Sequence, residues 1–509
     1  MAGTRCKVAI GLVVLGLALV AFGVTLVFLV PTIMKQQVEK NVRIDPSSGF
    51  AFEMWRDLPV PFHMAIYLFE VLNPKEIRQG ERPSVAQRGP YVYREYKQKR
   101  NITFHENNTV SFIEDRTFFF VPEMSSGSEG DYLVVPNMLV LAASIMLEHL
   151  PLPIRWIISG AFSTFSESTF MNRTVNEILW GYNNPLLDFL NSIVPGALPF
   201  TGKFGLFADF NNSNSGQFSV FTGVDDISRV QMVDTWNGQQ EVNFWRSEQC
   251  NMINGTAGQM WPPFMKSSTN IEFYSPDACR SMTLVYKESG EFKGIPTFRF
   301  TAPDTLFANG TVYPPNEGFC PCVASGVQNV SSCRFNAPVF MSLPHFYSAD
   351  PVFTQAVEGL HPSASQHSMF LDLHPLTGIP MNVSIKMQLN LFMKEVNGIS
   401  QTKNIKPVIF PLIWFEESGY IDGKVLDTYH TTLVLLPAIL GYLQYIFIAL
   451  GILLLVISLG LVITNKDKSF LFWSSTKKSR ESKETALAHS EKLMAAPSPN
   501  GTVLHEASL

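Results

Sequence analysis

The sequence predicts an α+β protein in which one large antiparallel β domain is held between two membrane-spanning helices. Three observations carry this. Long uncharged runs stand near the termini, at residues 8–30 and 433–464. Between them, apolar and polar residues alternate in many short stretches broken by Gly, Pro and Asn. One stretch, between Asp131 and Glu167, breaks the alternation with apolar arms of its own.

The first run covers roughly 34 Å as a helix at about 1.5 Å per residue, enough for a hydrocarbon core of about 30 Å. It exceeds the usual signal-peptide core of about 7–15 residues and no small-residue cleavage pattern follows, so it reads as an uncleaved anchor. The polar residues 35–43 continue the helix before Pro46. In the second run, Pro437, Tyr442, Gln444 and Tyr445 fall at the outer edge, and Lys466, Lys468, Lys477, Lys478 and Arg480 follow it. The positive-inside rule puts that end in the cytosol, and two spans require the N-terminus there too. The expected organisation is a cytosolic N-terminus (1–7), a span (8–30), an exterior domain (31–440), a span (441–464) and a cytosolic tail (465–509) that does not fold alone.

Glycosylation sequons agree with that topology. Asn101, Asn107, Asn172, Asn211, Asn254, Asn309, Asn329 and Asn382 all lie between the spans, and only Asn500 lies in the tail. Of 6 cysteines, Cys6 is juxtamembrane, a palmitoylation candidate, and Cys250, Cys279, Cys320, Cys322 and Cys333 cluster in the exterior domain. In an oxidising compartment they read as disulfides with one thiol left over, and spacing alone leaves the pairing open. Cys320-Pro321-Cys322 lacks the spacing of a zinc site and has no second pair.

Tyr91 to Tyr96, residues 296–300 and residues 385–391 have the period of half-buried strands, and a sheet closed into a barrel or a sandwich follows. In the non-conforming stretch, Pro151 and Pro153 divide two arms, residues 138–147 and 154–165, each too short to cross a bilayer. They read as a helical hairpin, with a third apolar helix at 186–194. A buried helix pair and a partly exposed lipid-docking cap both fit.

The balance of 38 basic and 43 acidic residues lacks the positive excess of a nucleic-acid binder. No G-x-S-x-G, H-E-x-x-H or phosphate-binding loop occurs, so an enzyme is not expected and no cofactor is implied. Metal ligation is conceivable at His361, His367, Asp372 and His374, which are close in sequence, although such residues more often occupy loops and strand ends. In the first span, Gly16 and Gly23 share a heptad spacing that permits close helix contact, homo-oligomerisation included.

Long stretches resemble the class B scavenger receptors: Asn41-Val42-Arg43-Ile44-Asp45-Pro46, Phe69-Glu70-Val71-Leu72-Asn73-Pro74, Arg88-Gly89-Pro90-Tyr91-Val92-Tyr93, Met171-Asn172-Arg173-Thr174 with Trp180-Gly181-Tyr182, and Cys250-Asn251-Met252-Ile253-Asn254 running to Trp261-Pro262-Pro263-Phe264. Tyr313-Pro314-Pro315-Asn316-Glu317-Gly318-Phe319-Cys320-Pro321-Cys322 is similar to the lipoprotein-receptor branch of that family. The resemblance implies a β-barrel-like ectodomain, an apical helical bundle at about 132–200 and an internal apolar tunnel. It implies a plasma-membrane receptor, in caveolae or lipid-raft domains, for high-density lipoprotein and its apolipoproteins. Such a receptor takes up cholesteryl ester selectively without ATP and exchanges free cholesterol both ways. The alternative is an adhesion or pattern-recognition receptor for phospholipid or modified lipoprotein.

The resemblance also implies site residues. Met138, Leu147, Ile154, Trp156 and Phe165 would form the ligand-docking apex. Cys279–Cys333 and Cys320–Cys322 are the expected bridges with Cys250 as a thiol, Cys250–Cys320 being the alternative; at position 383, where relatives can carry a further cysteine, stands Val383. Residues 132–171 contain no lysine, against a basic apex. Glu506-Ala507-Ser508-Leu509 resembles a terminus held by a cytosolic PDZ-domain adaptor, with Ser508 in place of a basic residue. Pro411 and Trp414, shortly before the second span, are membrane-proximal candidates for a tunnel exit, or packing residues.

Overall fold

The computed structural model describes residues 2–48, 50–57, 60–195, 202–319 and 324–494. The chain forms two compact units, residues 1–35 with 435–509, and residues 36–434.

The first unit is a helix pair. Helix Ala2–Val42 supplies one member and helix Leu436–Met494 the other. The stretches Lys7–Val42 and Gly423–Thr464 are long and apolar enough to cross a bilayer. Ser458 donates to the Ala9 carbonyl at 2.9 Å. A Cβ on Gly16 would stand 2.9 Å from the Gly451 carbonyl, and one on Gly23 2.6 Å from Ile448. Positions rise along one helix as they fall along the other, so the two run antiparallel. The close contact that the glycines permit is thus made within the chain, with its own second span. The polar tail, expected not to fold alone, continues the second helix as far as Met494.

The second unit is built on a 13-stranded antiparallel sheet. Its central strands are Pro380–Met393, Val408–Tyr420, Phe62–Val71, Val85–Phe104 and Thr109–Phe120, paired in that order. The sheet curls until its first and last strands, Ile271–Ser275 and Val233–Trp236, face each other across residues 255–257. There the Thr256 amide donates to Glu272 at 3.0 Å and the Ala257 amide to Gln231 at 3.2 Å, stitching both edges into a nearly closed barrel. Gly255, at φ 84°, is needed: a Cβ would lie 2.3 Å from the Glu272 backbone. Closure removes the exposed edges that would otherwise recruit another chain.

The alternation read at Tyr91 to Tyr96 lies within Val85–Phe104; Tyr91, Tyr93, Glu95 and Lys99 are buried while Arg94, Tyr96, Gln98 and Arg100 are exposed. The other two expected strands fall in Ile295–Thr301 and Pro380–Met393. Apolar side chains fill the unit in two main clusters. One gathers Tyr93, Phe118 and Phe207 with Trp180 against them, and the other gathers Trp55, Phe112, Phe218 and Phe273.

The apolar insertion is helical, as expected: Met138–Met146, Leu152–Thr164, Val175–Trp180 and Pro185–Ile193. Pro151 breaks the first pair. Asn137 and Asn184 cap the first and last of these helices, accepting from the Val140 and Leu186 amides. Both asparagines also donate to the Glu167 carboxylate, at 2.5 and 2.7 Å. One carboxylate therefore ties two helix starts together.

Candidate functional site

Three features of the barrel unit bear on function: an apolar surface on the insertion, a charged belt on its inward strand faces, and a polar pocket on the opposite face of the same sheet.

On helix Leu152–Thr164 the inward stripe Ile158, Ala161 and Phe162 packs on Leu139, Leu186 and Leu190. The other side presents Leu152, Trp156 and Ile157, the last two 61% and 52% exposed. Leu152 and Trp156, four residues apart, share one helix face, and Ile157 lies about a quarter turn farther round the same exposed side. Of the expected docking residues, Trp156 lies on this surface and Ile154 and Phe165 are half-buried beside it. Met138 and Leu147 are not at the surface: they are 6% and 2% exposed, because their helix is apolar all round and is enclosed. Leu152 and Ile157 are the apolar residues exposed beside Trp156 instead.

The belt crosses the inward faces between the two apolar clusters. Along Val85–Phe104, Tyr93 is followed inward by Glu95, Lys97 and Lys99; along Thr109–Phe120, Phe112 is followed by Glu114, Arg116 and then Phe118. Lys97 bonds Glu417 and stands 3.4 Å from Glu95. Lys99, with no exposed side-chain surface, donates to Glu114 at 3.0 Å and to the Trp55 carbonyl at 2.9 Å. Arg116 pairs with Asp277 at 2.7 Å, and Arg334 donates to the Asp277 carbonyl at 2.5 Å.

Burial works against the Lys97 ammonium, but Glu417 and Glu95 outweigh it and raise its pKa overall. Burial dominates at Lys99, which is lowered, and likewise at Glu95, whose carboxyl is pushed up to about 8 despite Lys97. Burial would raise Glu114 and Asp277 too, yet Lys99 and Arg116 beside them hold both below the ordinary carboxylate range. Asp277 is desolvated by its surroundings, yet its side chain keeps 40% of its surface, and Glu417 keeps 31%.

The pocket lies on the other face. In strand Val408–Tyr420, Phe415 and Glu417 point inward while Trp414 and Glu416 alternate with them. Trp414 stacks on Tyr67 at 3.8 Å and donates through Nε1 to Gln87 at 2.7 Å. Segment 343–367 packs over it and borders an open cleft of about 330 Å³ lined by Gln87, His345, Gly359, His361, Gln366 and His367. His345 and Phe346 hold left-handed backbone, φ 54° and 57°, which aims the ring inward. Its Nδ1 accepts from the His361 amide at 3.0 Å, so Nε2 carries the proton and donates to Gln87 at 2.7 Å. His367 stacks on it at 4.4 Å and accepts the Ser363 amide at Nδ1, 3.0 Å. Burial pushes His345 down to about 3 and His367 to about 4.

Of the four residues considered for a metal, His361 and His367 share this pocket, whereas Asp372 takes both arms of Arg299 at 2.7 and 2.8 Å and His374 meets Thr377 at 3.1 Å. Among the described residues no three metal-type ligands gather. Pro411 and Trp414 are both buried inside the sheet, in the strand that ends at Tyr420 shortly before helix Gly423–His430.

Cys279 and Cys333 are bridged, with Trp245 donating to the Cys279 carbonyl at 2.8 Å. Cys250 is a buried free thiol facing the Pro315 carbonyl. Cys320, Cys322 and the terminus Glu506, Ala507, Ser508 and Leu509 lie outside the described residues. None of the eight inter-span sequon asparagines is buried.

The model of the CD36 family matches residues 14–462. The chain is 58% identical over 503 residues to scavenger receptor class B member 1 of Sus scrofa, covering 99% of this chain and 98% of that protein. It is 57% identical over 502 residues to the Mus musculus protein of that name, with the same coverage. Lysosome membrane protein 2 of Homo sapiens is 33% identical over 430 residues, 82% of this chain and 86% of that protein. The chain belongs to the CD36 family.

Proposed function

We propose that this CD36-family scavenger receptor binds high-density lipoprotein at the cell surface and moves cholesteryl ester, and free cholesterol in both directions, through the inside of its barrel. The observation that carries the reading is the exposed Leu152, Trp156 and Ile157 face on the insertion of a nearly closed barrel. Such a face is matched to a lipoprotein surface, where apolar and interfacial groups meet. Each CH₂ moved into water costs about 0.8 kcal/mol, so a sterol ester needs a dry route and, given one, no ATP. The two apolar clusters would line that route, an internal tunnel with a polar break between them. Both termini would be cytosolic, with Leu509 offered to a PDZ adaptor and a second bridge at Cys320–Cys322.

In cells expressing the full chain, ester label on the particle should accumulate beyond apolipoprotein label; equal uptake of both would sink the reading. Replacing Trp156 and Ile157 by Asp should lower particle binding about tenfold at unchanged surface abundance, because exposed side chains contribute within about 0.5 kcal/mol to folding.

A further inference from the structure

On the outer face of strands Val85–Phe104 and Thr109–Phe120 two aromatic rings face solvent. Tyr96 is 48% exposed and Phe119 57%, with ring centroids 5.6 Å apart and planes at 84°. Register makes them diagonal neighbours, since Tyr96 is opposite Thr117 and Phe119 is opposite Arg94. Among the described residues this is the one ring pair with both members exposed. The Arg94 guanidinium lies 4.8 Å from the Tyr96 ring centre and has no carboxylate partner among the described residues, so its N–H groups are not taken up by an acid. Single exposed apolar side chains need no explanation, but a cluster of rings beside a free cation marks a contact.

The chain carries the occupant itself. Pairing of strand Thr109–Phe120 with strand Ser213–Phe221 ends at Arg116 opposite Ser213, and residues 211 and 212 continue along the same edge. Asn211 accepts the Phe118 amide through Oδ1 at 3.0 Å, and Thr117 donates to Asn212 Oδ1 at 3.4 Å. Asn211 opens the sequon Asn211-Asn212-Ser213. Its Nδ2, the nitrogen to which a sugar is joined, has no hydrogen-bond partner among the described residues. Amide geometry holds that nitrogen roughly 2.2 Å from Oδ1, so a sugar on it starts within one residue of Phe119. We propose that Phe119, Tyr96 and Arg94 form a platform that seats the first sugar of a glycan on Asn211. The C–H face of the hexosamine packs on the Phe119 ring and takes it out of water, while the N-acetyl carbonyl and the hydroxyls accept from Arg94. A glycan held in this way also covers the strand edge beyond Arg116, where regular pairing stops.

The test uses the full chain made in cells that leave every N-glycan oligomannose, purified in detergent. It is digested without denaturation by an endoglycosidase that cuts between the first two sugars, and release is followed site by site by mass spectrometry of the glycopeptides. A seated first sugar blocks the enzyme, so release at Asn211 should be slow. Phe119→Ser should speed it about tenfold, the upper end of what one ring contact is worth, with the other inter-span sequons at their wild-type rates. Phe119→Tyr keeps a ring and should keep release slow. Should Phe119→Ser loosen the fold and speed release at every site, Arg94→Gln reads the same platform from its polar side, with a gain of about threefold confined to Asn211. An Asn211 rate that neither Phe119→Ser nor Arg94→Gln changes selectively, or an Asn211 peptide that carries no sugar, overturns the platform.

Discussion

The two faces of strand Val408–Tyr420 bury polar groups in opposite ways. Toward the outer pocket, Trp414, Gln87, His345 and His367 are neutral, and their polar atoms meet amides, carbonyls or one another at 2.7–3.0 Å. Toward the interior, Glu417 joins a belt of ionisable groups that pair with one another, Lys97 with Glu417 and Arg116 with Asp277. A neutral network of this kind fixes geometry; here it pins segment 343–367 on the sheet. A charged one is costly to desolvate and is weak evidence for stability. The difference is between a clasp and a set of ionisable groups that satisfy one another.

Acid should break the comparison most strongly, because it converts the clasp into a charged site. Both histidines titrate below the ordinary value of 6.5, so the neutral forms stabilise the fold above 6.5, and that contribution is lost as pH falls toward about 4 and about 3. Over the roughly two units below 6.5, two protons amount to a loss on the order of 5 kcal/mol. Hydrogen exchange between pH 7 and 4.5 should show segment 343–367 opening first, and His345→Gln with His367→Gln should flatten the response. Uniform exchange across the barrel would mean that the pocket is no clasp.

Within the belt, Lys99→Met should follow in size. The ammonium has no exposed side-chain surface, and its removal strands Glu114 and the Trp55 carbonyl, at a cost of about 3–5 kcal/mol. Thermal unfolding of the purified chain measures it, and Lys99→Met with Glu114→Leu should recover much of the loss. No recovery would mean that the pair is not the source.

Much of this could be read before the fold was known. The spans, the strand at Tyr91 and the proline-split helices followed from period and length, since local geometry imposes both. The belt could have been read as well. Glu95, Lys97 and Lys99 share the parity of Tyr91 and Tyr93, so the alternation that buries the tyrosines also turns the charges inward. The pocket could not, because Gln87, His345 and Trp414 are far apart in the chain and meet only through sheet register. Met138 and Leu147 show the converse: the resemblance put them at a docking apex, and packing encloses them. Glu167, joining two N-caps, had no local signature.

The smallest effect tests the belt from its least accessible acid. Glu95 is raised to about 8, first by burial and then by Glu417, against the pull of Lys97. The sign is opposite to that of the histidines. A carboxyl raised in the fold favours folding below its ordinary value near 4.5, and that advantage is lost as pH climbs through about 8. Glu95→Gln keeps the shape and removes the proton, so it should raise stability at pH 8 and change it by almost nothing at pH 4.5. Denaturant midpoints of the two proteins at both values read the difference. Because Lys97 retains Glu417, the substitution should leave the lysine held. A variant less stable than wild type at pH 8 would mean that Glu95 is ionised and needed as a partner, and the belt would then carry its fourth negative charge in full.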